Sequence, residues 1–224
     1  MPWLLLAITA IALVFDFLNG FHDASNIVAT LISSRAVAPR TALILTAVAE
    51  LAGPFLFGVA VATTIGSEVV DPTAITSAVI LAALLGAIAW NLLTWYLGWP
   101  SSTSHALIGG LLGAVLAAAG PSAIRLAGLE KVLIALFLSP VLGFVLAFVA
   151  LRLIYFLARG ATPKINTFFK KAQIGTALAL ALSHGTNDAQ KTMGIIAMAM
   201  VTTGYTAEFY VPGWVIAASA AAIA

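Results

Sequence analysis

Apolar residues run through this chain in long blocks separated by short polar islands, and the blocks have the length of membrane spans. Trp3–Phe15, Thr73–Ala89 and Val132–Leu151 are near-continuous apolar runs, approaching or reaching the roughly 20 residues that cross a bilayer as a helix. The pattern predicts helices over 3–34 (with a break), 42–65, 73–98, 101–119, 132–157, 174–204 (with a break) and from 212 onward. Gly53-Pro54, Asp71-Pro72, Trp99-Pro100, Gly120-Pro121 and Pro163 mark bends, turns and helix starts between them. Trp95, Trp99, Tyr155, Phe156, Tyr205, Tyr210 and Trp214 fall near predicted helix ends, as an interfacial aromatic belt does.

Composition narrows the class. The 224 residues are 62% hydrophobic and 8% charged, against about 25% charged in a soluble domain, so a water-facing surface cannot be covered. The expected fold is an all-α, multi-pass membrane protein of the cell (inner) membrane, with lipids as its surroundings. No Lys or Arg precedes Arg35, which excludes a cleavable signal peptide. The absence of cysteine excludes disulfides, thiol catalysis and Cys-based metal sites. No basic run is long enough for nucleic acid, and the sequence leaves homo-oligomerisation open.

The Lys and Arg residues set an orientation. If the N-terminus is outside and every segment through 157 crosses once, then Arg35, Arg40, Arg152, Arg159, Lys164, Lys170 and Lys171 are cytoplasmic. Only Arg125 and Lys131 then lie outside, together with Glu68 and Asp71. The positive-inside rule favours this arrangement. A re-entrant reading of 101–119 stays open, because Pro100–His105 is polar for the start of a span and a hairpin there preserves the orientation only if another crossing is lost.

Two of the islands resemble each other. Gly20-Phe21-His22-Asp23-Ala24-Ser25-Asn26 aligns with Gly185-Thr186-Asn187-Asp188-Ala189-Gln190-Lys191 at an offset of 165, with Gly, Asp and Ala coinciding. Five crossings lie between the two units, so the second runs through the membrane in the opposite sense. That is the plan of inverted-topology repeats with broken helices and a site at the midplane. The expected organisation is a first repeat over 1–160, a basic cytoplasmic loop over 161–173, and the start of a second, incomplete repeat over 174–224. A counterpart of Pro100–His105 would fall beyond Ala224, so the chain is expected to be truncated or a fragment.

Candidate chemistry sits in these islands. Asp16, Asn19, Asp23, Asn26 and Thr30 follow a spacing of 3, 4, 3 and 4, which places them on one helix face. His184, Asp188 and Lys191 repeat a 4-and-3 spacing. An intramembrane carboxylate costs about 2.5–3.5 kcal/mol on insertion scales, so it marks function unless it belongs to a structural polar seam. Carboxylate and amide oxygens suit hard cations such as sodium, which makes Asp23, Asn26, Asn187, Asp188 and Gln190 the candidate cation ligands. Asp16 and Glu50 are read either as partners of a basic group or as proton sites.

Ser101, Ser102, Thr103 and Ser104 follow Pro100 and precede a helix rich in glycine. Free N–H groups, the helix dipole and capping hydroxyls make such a start an anion site, although an N-cap serving only packing has the same appearance. His22, His105 and His184 lack the local spacing of a metal site and are read as neutral hydrogen-bond partners. Neither a Gly-x-Ser-x-Gly elbow nor a His-Glu-x-x-His pair is present, which argues against a hydrolase. An anion and membrane carboxylates repel strongly at low dielectric, so a cation between them would couple the two.

These motifs resemble those of the inorganic phosphate transporter (PiT) family, bacterial type. Gly20–Thr30 is similar to its first signature, Ser183–Gly194 to its second, and Pro100–His105 to its hydroxyl-rich segment. The resemblance implies a secondary transporter in which sodium or a proton drives phosphate symport, with no other cofactor. It implies phosphate contacts at Ser101, Ser102, Thr103, Ser104, Thr186, Asn187, Asp188 and Lys191, and coupling at Asp23, Asn26, Asn187, Asp188 and Gln190. Phe21-His22 departs from the commoner Gly-Ala-Asn-Asp signature and leaves the coupling ion open. Sulfate is the rival substrate, since both are tetrahedral oxyanions, but only phosphate can donate a proton to a carboxylate such as Asp188. The two Asp islands argue against a passive anion channel.

Overall fold

The computed structural model describes residues 2–224, with the side chains of residues 66 and 67 outside that description. Among the described residues there are eight α-helices: α1 (Pro2–Ser33), α2 (Pro39–Leu56), α3 (Ala60–Thr63), α4 (Ser77–Leu97), α5 (Thr103–Ala119), α6 (Leu126–Leu157), α7 (Ile165–Thr202) and α8 (Gly213–Ile223). Their ends carry the expected signals. Pro39 opens α2, the Thr76 hydroxyl accepts from the Val79 amide at the start of α4, and Gly98 closes α4 at a φ of 65°.

The breaks fall elsewhere than the islands suggested. Both α1 and α7 run as uninterrupted helices through Gly20–Asn26 and Gly185–Lys191. The interruption comes in the second segment, where α2 ends two residues beyond Pro54 and the chain passes Gly58 at a φ of 74°. It then resumes as α3 and a widened π turn over Thr64–Glu68. Proline removes an N–H and crowds the preceding turn. The polar islands keep theirs, because their side chains find partners sideways on other helices. Two other boundaries move: α6 begins at Leu126 rather than 132, and α7 at Ile165 rather than 174, so most of the basic stretch expected as a loop is helical.

Helices α1 and α7 are antiparallel in a constant register. Ser34 donates to Gln173 Oε1 at 2.6 Å just past the end of α1. Eleven residues back along α1 and eleven forward along α7, Asp23 faces His184 at 3.5 Å. Four further on, the Asn19 amide donates to Asp188 Oδ2 at 2.9 Å. At about 1.5 Å per residue, the Asn19–Asp188 contact lies roughly 22 Å along the helices from the Ser34 end.

Glycine lets α2 lie against α7. A Cβ at Gly53 would stand 2.5 Å from the Leu182 carbonyl oxygen, and one at Gly185 would overlap the backbone of Glu50. Small residues at such crossings are how membrane helices approach closely.

The α4–α5 pair forms a hairpin whose tip stops short of the end of α1. Gly98–Ser101 lies level with His22, Ser25 and Asn26, about eight residues, or roughly 12 Å of helix, short of Ser34. At the other end, the α3–α4 and α5–α6 connections are tied by an antiparallel bridge between Val70 and Ile124. Arg125 N donates to the Val69 carbonyl at 3.0 Å and Asp71 N to that of Ala123 at 2.8 Å. Ion pairs Arg125–Asp71 (3.8 Å) and Lys131–Glu68 (2.9 Å) close the clasp. The Thr73 hydroxyl and amide both donate to Asp71, and these bonds, with Arg125 nearby, hold its carboxyl below the usual range.

Leu5, Ile8, Phe15, Ile80, Leu84, Leu107, Leu111 and Met193 form the centre of the core. On α6 only Gly128 is buried, while Phe137, Phe144, Leu146 and Tyr155 face outward. An apolar surface of that extent belongs in lipid. Helices α1, α4 and α6 are each long and apolar enough to cross a membrane.

Candidate functional site

Side chains of the two islands meet around the imidazole of His184. Its Nδ1 lies 2.7 Å from Glu50 Oε1, and its Nε2 lies 3.5 Å from both Asp23 Oδ2 and Asp188 Oδ2. Asp188 is the most connected member. Besides Asn19, it accepts from Asn187 Nδ2 at 3.0 Å and forms an ion pair with Lys191 at 2.7 Å. Asp188, Lys191 and Glu50 are buried, and Asp23 and His184 are partly so. One ligand atom each from Asp23, His184 and Asp188 lies within 4.8 Å of the others, a spacing a cation could bridge. Asp16 is fully buried on the same face of α1, with the Thr192 side chain of α7 beside its carboxylate.

The hydroxyl segment reaches this centre through one residue. Thr103 Oγ1 donates to Asn19 Oδ1 at 2.8 Å, and Asn19 in turn holds Asp188. The first turn of α5 therefore stands half-way along α1. Ser102 caps it, accepting from the His105 amide at 3.4 Å. Beside this turn opens a cavity of about 780 Å³ lined by Ser102, Ser104, His105, Asn187, Lys191 and Lys131, with apolar residues of α3 and α6 between them. No carboxylate lines it among the described residues.

Other sequence candidates lie apart. Asn26 is exposed, and with Ser101 it lines a separate groove of about 580 Å³ at the hairpin tip, where Ser101 accepts from Trp90 Nε1 at 3.1 Å. The helical period of 3.6 explains this: Ile27 and Val28 take the buried positions after Asp23, and Asn26 and Thr30 rotate outward. Thr186 turns to its own helix, donating to the Leu182 carbonyl at 2.7 Å, and rests against Gly53. The carbonyl of the Gln190 amide accepts from Val61 N at 2.8 Å, serving the N–H left free by the break before α3.

Three residues of the network were weakly signalled. Glu50 is the single acid of α2, and Asn19 shares a face with Asp16 and Asp23, yet neither pairing is local in sequence. His184 has one ligand-type partner along its own helix, Asp188 four residues on, and its other two come from α1 and α2. Its neighbours come from three helices.

Residues 19–224 match the phosphate transporter family model. The chain belongs to that family. A Rhizobium meliloti protein named "Probable low-affinity inorganic phosphate transporter" is 48% identical over 223 residues, covering 99% of this chain and 67% of its own length. The "Low-affinity inorganic phosphate transporter PitA" of Escherichia coli is 33% identical, covering 88% of this chain and 46% of its own. The chain thus spans about two thirds of the first relative and about half of the second. A solved structure described as "The sodium-dependent phosphate transporter" superposes with a TM-score of 0.82 at 20% identity, covering all of this chain and 74% of that one. At that identity the likeness is one of fold. The family consists of transporters rather than enzymes, and the chain is an all-helical integral membrane protein.

Proposed function

We propose that this chain carries the phosphate path and the coupling-cation site of a secondary phosphate transporter. The observation that carries the reading is the position of Lys191. Its ammonium pairs with Asp188 in the carboxylate centre at 2.7 Å, while the same side chain lines the cavity beside the hydroxyls of α5. One residue thereby borders both compartments.

The anion side has the expected donors: Ser102 and Ser104 at a helix N-terminus, the Asn187 amide and the Lys191 ammonium. Helix starts favour anions through free N–H groups and the dipole, and hydroxyls add donors without fixed charge. The cation side has Asp23 and Asp188 converging on one point from opposite helices. Phosphate entering the cavity attracts Lys191 away from Asp188, and Asp188 then needs another positive charge. A sodium ion or a proton arriving at the Asp23–Asp188 pair supplies it. Coupling follows, because in a low-dielectric site neither ion is well held without the other. Thr103 supports this site by holding Asn19, Thr186 by packing against Gly53 and Gln190 by holding the start of α3, while Ser101 and Asn26 belong to the groove at the hairpin tip.

The antiparallel course of α1 and α7 fits an inverted repeat whose two islands form one site. The orientation of the reading has the Ser34–Gln173 end cytoplasmic in the inner membrane and the Glu68–Arg125 clasp outside.

The test is uptake of labelled phosphate by full-length protein in proteoliposomes, with sodium and pH gradients imposed separately and sulfate as competitor. Uptake should follow one gradient and be lost in Asp188→Asn. Indifference to both gradients would replace symport by a channel, and full competition by sulfate would widen the substrate to oxyanions generally.

A further inference from the structure

Lys131 lies on α6, at the end of the cavity that faces the Val70–Ile124 clasp, and it lines the same space as Lys191. Its ammonium pairs with Glu68 at 2.9 Å, and both side chains are accessible, at 66% and 37% exposure. Lys191, by contrast, is 4% exposed and pairs with Asp188. The cavity therefore holds two lysines, one at its mouth and one at its floor, each backed by a carboxylate that does not line the cavity. Ser102, Ser104, His105 and Asn187 line the same cavity.

We infer that Lys131 is the residue that receives phosphate at the mouth of the cavity, exchanging Glu68 for the anion before the anion passes to Lys191. An exposed ion pair contributes little stability and changes partner easily. A charge at the rim of a low-dielectric cleft raises the local concentration of the opposite ion, an effect that salt screens. Glu68 sets the strength of this attraction, because while paired it cancels much of the lysine's field. The Glu68 backbone stays fixed as its side chain moves, since Gly128 at the start of α6 packs directly on its carbonyl. The inference rests on the transport reading above and adds the mouth to it.

Two measurements test it on the full-length protein. In uptake assays at low and high ionic strength, Lys131→Gln should raise the phosphate KM several-fold with little change in maximal rate, and should flatten the salt dependence. Lys131→Arg should recover most of both. Glu68→Gln should move KM the other way. If the pair were merely a structural tie, Lys131→Gln and Glu68→Gln would break it alike and shift uptake in the same direction, which would overturn the inference. An unchanged KM in Lys131→Gln would do so too.

The second measurement needs no transport. These 224 residues contain no cysteine, so Ala135→Cys, one turn along α6 and also lining the cavity, is introduced into full-length protein with every cysteine outside them replaced by serine, which leaves one thiol. The ratio of its reaction rates with anionic and cationic thiol reagents, in a maltoside micelle free of phospholipid, reports the local field. That ratio should fall several-fold with Lys131→Gln, rise with Glu68→Gln, and drop when inorganic phosphate occupies the mouth. A ratio indifferent to Lys131 overturns the inference whatever uptake shows, as does a response to anionic phospholipid but not to inorganic phosphate. The expected ratios in a protein that takes up no phosphate would overturn the transport reading and leave the anion-attracting mouth standing.

Discussion

Thr103 and Asp188 show what single side chains contribute to the centre. Thr103 is buried and gives its hydroxyl hydrogen to Asn19, whose own amide holds Asp188. Removing that hydroxyl leaves the Asn19 carbonyl oxygen unsatisfied in a buried place, which costs about 1–3 kcal/mol. Thr103→Val should therefore lower the melting temperature in detergent, and Thr103→Ser should not. Ser104, facing the cavity, should behave oppositely: its loss is expected to weaken phosphate uptake and leave melting almost unmoved, whereas loss of Ser102 also removes the cap of α5. At this scale the sequence was partly readable. Asp23, Asp188 and Lys191 announce themselves as charges inside apolar helices. The partnership of Glu50 with His184 does not, because 134 residues separate them and only the packing of α2 on α7 unites them.

Helices add a level of control that single residues lack. On α7, Gly175 and Gly185 look equivalent in sequence, but a methyl group at Gly175 meets nothing within 4 Å, while one at Gly185 runs into the Glu50 backbone. Gly175→Ala should stabilise by up to about 1 kcal/mol through helix propensity. Gly185→Ala should destabilise by about 1–3 kcal/mol through overpacking, and detergent unfolding curves of the two variants check both signs. The spans themselves were legible, because apolar run length measures the bilayer directly. The break was not. Asp, Asn and Gly at the islands lower intrinsic helix preference, yet Asp23 and Asn19 find lateral partners and the ladder continues through them. The helix ends instead just before Gly58, whose φ of 74° leaves the helical region, while Pro140 is carried inside α6 without a break. The hairpin tip was likewise only half visible: Pro100 and four hydroxyl residues announced a helix start, but its depth depends on Thr103 reaching Asn19.

Across the whole molecule, the clasp at Glu68–Arg125 and the contact at Ser34–Gln173 mark its two ends. A reporter inserted after Gly160, in the connection between α6 and α7, in the full-length protein should read cytoplasmic, and an external reading would reverse the proposed orientation. The same mirrored register of α1 and α7 has a consequence for biogenesis. Asp23 and His184, which answers it on α7, are 161 residues apart in the order of synthesis. At about 5–20 residues per second, α1 waits roughly ten to thirty seconds for α7 to emerge. During that interval Asp16, Asn19 and Asp23 have no partner on α7, and α1 must be retained by the apolar run from Trp3 to Phe15 or by the insertion machinery. Polar substitutions in that run should therefore reduce the amount of protein reaching the membrane more than they reduce the stability of the protein that does.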